Sequence, residues 1–309
     1  MQDFDYVAPR TVNEVVSALM NTGGTARILS GGTDLLVQLR EGRKTADQVV
    51  DIKHVPEASE LIFDPLRGLS IGAAVPCYRI AGDPAIRAAY PGLVDAVGLV
   101  GGMQIQGRAS VGGNLCNASP AADTIPALIV HQAVCVIAGE GGLRELPVEQ
   151  FCTGPGRNAL QPGEFLLALR IPPVKSGFGA AYLRFIPRNE MDIAVVGAGV
   201  AVTLNEDRTR FESARVALGA VAPTPLLVAE AGDYLAGKPV TPETMLEAAR
   251  IAQTAARPIS DMRGTVVQRR HLSMILTRRA LAIAIERAGG VAMGGKTNGN
   301  GSHNVERSH

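Results

Sequence analysis

The sequence predicts an α+β protein, with two small α/β units followed by a smaller unit made of an antiparallel sheet and helices. Three observations carry that expectation. Strand-like and helical stretches alternate through residues 1–56, which favours a small parallel sheet. A second series of strands and helices runs from residue 57 to Pro172-Pro173. Beyond Phe178, two long apolar β-type runs precede two helical patterns.

Thr11 and Glu14 form a capping-box pattern at the first helix, whose apolar residues Val12, Val15, Val16 and Leu19 recur at helical spacing until Gly23-Gly24. A strand at 26–29 then runs into Ser30-Gly31-Gly32-Thr33-Asp34. A helix from Leu35 to Arg40 and a strand at 48–52 complete the unit. In the second unit LRGLSIGAAV reads as a strand, with helices near 83–89 and 91–100. A Gly/Ala/Ser-rich stretch spans 101–126, apolar strand-like runs follow at 127–130 and 133–137, and FLLALRIPP closes the unit. Pro172-Pro173 and Lys175-Ser176-Gly177 mark a linker. The runs at 194–204 and 211–221 flank the polar turn Asn205–Thr209 and read as a hairpin. Helices are expected near 242–256 and 266–288. The expected domains are thus 1–175, with subdomains 1–56 and 57–175, and 178–288. The tail 289–309 has no apolar pattern and is expected to be disordered.

Hydrophobic residues make up 46% of the 309 and charged residues 19%, an ordinary globular balance. Thirty basic against twenty-nine acidic side chains leave a net charge of +1, so no electrostatic footprint for nucleic acid or an anionic membrane is expected. No apolar run approaches the roughly 18 residues of a spanning helix. The opening MQDFDYVAPR lacks the basic and apolar regions of a signal peptide, so the cytoplasm is the expected location. Cys77, Cys116, Cys135 and Cys152 form no CxxC pair and the five histidines are dispersed, so no metal site is expected.

Two glycine-rich loops carry the chemistry. Leu29-Ser30-Gly31-Gly32-Thr33-Asp34-Leu35 passes from a strand straight into a helix start, where adjacent glycines expose backbone N–H groups to an anion. Thr33 adds a hydroxyl. The second loop, Ser110-Val111-Gly112-Gly113-Asn114 continuing to Asp123, has too many small side chains to fill a core. A bound dinucleotide would fill that space, with Ser110, Asn114 and Ser119 as neutral polar contacts and Asp123 accepting from a ribose hydroxyl. Val196-Gly197-Ala198-Gly199 imitates a dinucleotide fingerprint, but the pattern continues as a strand and no helix follows.

Ser30-Gly31-Gly32-Thr33-Asp34-Leu35, the stretch Gln104 to Leu115, Ser119-Pro120-xx-Asp123 and Arg188-xxx-Asp192-Ile193-Ala194 resemble the FAD-binding medium subunits of molybdenum hydroxylases. That family includes the flavin subunits of carbon monoxide dehydrogenase, quinoline oxidoreductase and 4-hydroxybenzoyl-CoA reductase, and the flavin domain of xanthine dehydrogenase. The resemblance covers roughly residues 1–288. It implies an FAD-binding domain of the p-cresol methylhydroxylase type, made of two α/β subdomains, and a smaller C-terminal α+β domain. It implies that Leu29 to Leu36 wrap the FAD pyrophosphate, that Ser110 and Gly112 to Asn114 lie along flavin and pyrophosphate, and that Asp123 holds the adenosine end. Leu166 matches a position packed near the cofactor. Arg184 falls where relatives carry Lys near the flavin, and Val100 where the xanthine dehydrogenases place an aromatic. No inserted four-cysteine loop is present, so the extra iron–sulfur cluster of some relatives is not expected.

The implied partners are a large subunit with molybdenum–pterin and a small subunit with two [2Fe–2S] clusters, arranged as a dimer of heterotrimers. The chain would pass electrons between those clusters and an external acceptor or donor, with no catalytic acid–base pair of its own. Two other readings stand beside this one: a self-contained flavin oxidase or reductase, and a non-enzymatic nucleotide-binding assembly subunit.

Overall fold

The computed structural model describes residues 2–188 and 191–292, so most of the tail expected to be disordered lies outside the described residues. The chain opens with β1 (Asp5–Val7), α1 (Val12–Asn21), β2 (Ala26–Leu29), α2 (Leu35–Arg40) and β3 (Gln48–Asp51). Thr11 Oγ1 accepts from Glu14 N at 3.3 Å, and the Glu14 carboxylate reaches back to Arg10 N at 2.7 Å, one residue beyond the usual box. The three strands form a parallel sheet in the order β1-β3-β2. The first glycine loop therefore leaves the carboxyl end of an edge strand.

The second unit contains α3 (Pro56–Ser59), β4 (Leu61–Asp64), β5 (Gly68–Gly72), α4 (Cys77–Gly82), α5 (Pro84–Ala89), α6 (Pro91–Val97), α7 (Met103–Gln106), α8 (Val111–Cys116) and α9 (Thr124–Val130). It ends with β6 (Val134–Gly139), β7 (Gly142–Pro147), β8 (Cys152–Gly154), β9 (Arg157–Asn158) and β10 (Phe165–Ile171). Its five-stranded sheet, β4-β5-β10-β6-β7, is antiparallel throughout. Residues 127–130, expected as a strand, are the second half of α9. Every residue of α9 is buried, so its apolar run has no polar face to reveal a helical period. Pro126 is tolerated because it sits in the first turn. The Gly/Ala/Ser-rich stretch 101–126 holds the short helices α7 and α8 and the start of α9, and α8 lies within the second glycine-rich loop.

The last unit has β11 (Phe178–Phe185), β12 (Val196–Leu204), β13 (Phe211–Gly219) and β14 (Leu226–Leu227) in an antiparallel sheet of that order. The helices α10 (Ala229–Leu235), α11 (Pro242–Ala255) and α12 (Val266–Arg287) share a core with it. The fingerprint-like glycines serve packing: a Cβ at Gly199 would lie 2.8 Å from the Pro126 carbonyl oxygen, and one at Gly197 would meet the Tyr182 hydroxyl at 2.5 Å. Strand β12 thus approaches α9 closely, joining the last unit to the second. Arg287 adds an ion pair to Asp95 at 2.6 Å, and Asp95 also accepts from Tyr182 N at 3.1 Å.

His131 ends α9 in this junction, only 3% exposed. Its Nδ1 lies 2.7 Å from the Ala127 carbonyl, which requires the proton on Nδ1 and leaves Nε2 buried without a partner. Burial pulls its pKa down to about 4. An unfolded histidine titrates near 6.5, so below that pH the unfolded chain binds a proton that the folded chain refuses. Stability should therefore fall as pH drops from about 6.5 towards 4, by roughly 3 kcal/mol in all. Urea unfolding at pH 7.5 and 4.5 measures the slope, which should flatten in His131→Gln. An unchanged slope in that variant would clear His131 as its source.

Candidate cofactor site

Strand β2 ends at buried Leu29, and the chain turns through Ser30-Gly31-Gly32 before α2 starts. Gly32 has φ +78°, which a side chain would oppose. Eighty residues later the second loop enters α8. Ser110 is the N-cap of α8, its Oγ accepting from Gly113 N at 3.0 Å. The two loops meet. Ser30 Oγ and Ser110 Oγ are 2.7 Å apart, and Ser30 Oγ reaches the Ala73 carbonyl at 3.3 Å. Because Ser30 gives its proton to Ala73, Ser110 is the donor between them.

The glycine requirement at two positions comes from protein, not ligand. A Cβ at Gly31 would collide with the Arg108 carbonyl, and one at Gly112 would lie 2.5 Å from the Ala73 carbonyl oxygen and 2.6 Å from its Cα. Both loops are therefore pressed backbone to backbone against their supports.

Between them lies a cavity of about 330 Å³. Of the residues named from sequence, Ser30, Gly31, Gly32, Thr33, Asp34, Leu35, Val100, Ser110, Gly112, Gly113, Asn114 and Leu166 line it. Leu29, Ser119, Asp123 and Arg184 are not among its walls. Leu29 packs in a small core with Leu39, Ala46 and Val49. Ser119 Oγ accepts from Ala121 N at 3.3 Å. Asp123 has both oxygens engaged, by the Tyr182 hydroxyl at 2.8 Å and by Arg184 Nη1 at 2.5 Å. Burial raises the Asp123 carboxyl pKa against the opposing pull of Arg184 and Tyr182.

The cavity also recruits Arg27, Gln38, Lys44, Asn117 and Asn158, none of which was singled out from the sequence. Gln38 was within reach of inference, since it lies one helical turn after Leu35 on the same face of α2. Asn158 arrives from the β8–β9 hairpin and donates to the Cys116 carbonyl at 2.9 Å. Cys116 itself lines the cavity, its thiol pushed up to about 12 by burial. Among the described residues, no group of three or more His, Cys, Asp or Glu is placed to hold a metal ion.

The walls suit a flavin dinucleotide. They combine two glycine turns, the Thr33 hydroxyl, side-chain amides and two basic residues, Arg27 and Lys44. Hydroxyl and amide groups match ribose and base edges, and cations match a diphosphate.

A dinucleotide-binding flavoprotein is the class of protein these features define. The family described as the FAD-binding domain in molybdopterin dehydrogenase matches residues 2–174, and the CO dehydrogenase flavoprotein C-terminal domain matches residues 181–284. The chain belongs to the FAD-binding medium subunits of the molybdenum hydroxylase family. It is 30% identical over 292 residues to the xanthine dehydrogenase FAD-binding subunit of Escherichia coli O157:H7, covering 94% of this chain and 99% of that one. It is likewise 30% identical over 288 residues to the carbon monoxide dehydrogenase medium chain of Hydrogenophaga pseudoflava, covering 91% and 96%. Among solved structures, carbon monoxide dehydrogenase from Hydrogenophaga pseudoflava superposes with a TM-score of 0.88 at 29% identity, covering 93% of this chain and 98% of that one. Quinoline 2-oxidoreductase from Pseudomonas putida gives 0.85 at 28% identity, with the same coverage. The chain is thus a flavoprotein component of an oxidoreductase, and no described helix is long and apolar enough to cross a membrane.

Proposed function

We propose that this chain is the electron-transfer subunit of a cytoplasmic molybdenum hydroxylase, exchanging electrons between the [2Fe–2S] clusters of a small partner and an external acceptor or donor. A large partner would carry molybdenum–pterin and the substrate chemistry, and the assembly would be a dimer of heterotrimers. The observation that supports this reading is the cavity walled by both glycine loops, in a chain that aligns almost end to end with medium subunits. FAD, when bound, supplies a carrier that takes up and releases one or two electrons.

The residues of this chain hold and shape the site. In this reading Ser30 to Leu35, Ser110 and Gly112 to Asn114 cradle the diphosphate and flavin side, with Ser30 and Ser110 locked together by their shared hydrogen bond. Val100 and Leu166 supply apolar walls, and Arg27 and Lys44 supply positive charge. Ser119, Asp123 and Arg184 lie outside the cavity walls, and Asp123 and Arg184 pair with each other.

The complex purified under anaerobic conditions should carry about one FAD per chain, together with molybdenum and iron on co-purifying subunits. Flavin absorbance and metal analysis measure this. Flavin-free protein, or turnover of substrate by the isolated chain, would contradict the proposal.

A further inference from the structure

Behind the first glycine loop stands a charged residue that does not line the cavity. Lys53 follows β3 in a single 3-10 turn, Ile52–His54. Its Nζ lies 2.7 Å from each carboxylate oxygen of Asp51 and donates to the Ser30 carbonyl at 3.0 Å. Asp51 ends the central strand of the first sheet and is 3% exposed. It also accepts from the Tyr6 hydroxyl at 2.7 Å, reached from neighbouring β1, and from Lys53 N at 3.0 Å. Burial opposes ionisation of Asp51, but the bonds from Lys53 and Tyr6 outweigh it and hold the carboxyl below its ordinary range. The carboxylate is therefore an anion fixed to the sheet, and it fixes the ammonium in turn.

An ammonium has three donors. Two are committed to Asp51, and the third holds Ser30. A trans peptide is planar, so turning the Ser30 carbonyl towards Lys53 points the Gly31 N–H the opposite way. Two adjacent glycines would otherwise leave this turn free to sample many conformations. We infer that Lys53 is a positioning residue for the dinucleotide: anchored on Asp51 and Tyr6, it sets the Ser30–Gly31 peptide plane in the geometry that receives the diphosphate. This rests on the proposal that the first loop cradles the diphosphate. It adds that the affinity of the loop is established in advance by an ion pair outside the cavity, which lowers the ordering cost of binding.

The test uses the full chain, with FAD, ADP and riboflavin as probes in equilibrium titrations. Losing a charge-assisted hydrogen bond that orders a ligand loop should weaken FAD and ADP together by about 10- to 100-fold in Lys53→Met. Riboflavin, which has no phosphate, should change by less than about threefold, and Lys53→Arg should restore FAD affinity to within about threefold of the original. Lys53→Met leaves Asp51 buried and unpaired, so the double variant Asp51→Asn with Lys53→Met keeps the test open by removing both charges. It should show the same selective weakening. Unchanged FAD affinity in either folded variant would overturn the inference, as would weaker FAD binding with unchanged ADP binding. If the unsubstituted chain binds ADP but not FAD, the flavin reading fails and the clamp on a diphosphate loop stands.

Discussion

Gly31→Ala is expected to strip the protein of its flavin. The added Cβ would be driven into the carbonyl of Arg108, which is main chain with no rotamer to yield. Relief requires the two loops to separate, and separation breaks the 2.7 Å bond between Ser30 and Ser110. Overpacking of this kind costs ~3 kcal/mol, and because the strain falls on the loop contact that shapes the cavity, FAD should bind about 100-fold more weakly. Gly107→Ala is the matched control. It lies beside Arg108, its φ is −66°, and a Cβ there would meet nothing within 4 Å. Flavin absorbance per chain and titration of the flavin-free form measure both variants. Full flavin content in Gly31→Ala would mean that the loop contact does not shape the binding site.

That variant also marks where sequence reasoning was sufficient and where it was not. Adjacent glycines between a strand and a helix signal a close approach of backbone, but not what is approached. The sequence suggests an anion, whereas the structure places backbone against Gly31 and Gly112 and leaves the cavity beside them. Elements with local signatures were legible: the capping pair at Thr11 and Glu14, the glycine stop after α1, the hairpin at Asn205 and the two long C-terminal helices. Helix α9 was not, because burial on all sides erases the polar stripe that separates helix from strand. Arg27, Lys44 and Asn158 were equally hidden. They reach the cavity from three separate segments, and only tertiary contact brings them together. A lone basic or amide residue in a strand, loop or hairpin carries no mark of its destination.

The second large effect is expected at Asp123, where the resemblance implied a cofactor contact and the side chain makes a domain contact. Asp123 precedes α9, while Tyr182 and Arg184 lie on β11, so the cluster ties the second unit to the last. The Arg184 side chain is only 6% exposed, and its Nε already lacks a partner. Asp123→Ala would leave a buried guanidinium without its counter-charge and the Tyr182 hydroxyl without its acceptor, a loss of about 3–5 kcal/mol in unfolding free energy. Replacing both charges, as Asp123→Leu with Arg184→Met, removes the uncompensated ion and should recover much of that loss. Urea unfolding of the unsubstituted protein, Asp123→Leu, Arg184→Met and the double variant gives the coupling directly. The same set decides what the pair is for. With Asp123 committed to Tyr182 and Arg184, the folded double variant should hold FAD within about tenfold of the original, because neither side chain lines the cavity. A loss of more than about 100-fold, with stability restored, would return Asp123 and Arg184 to the cofactor and require the junction to open when FAD binds.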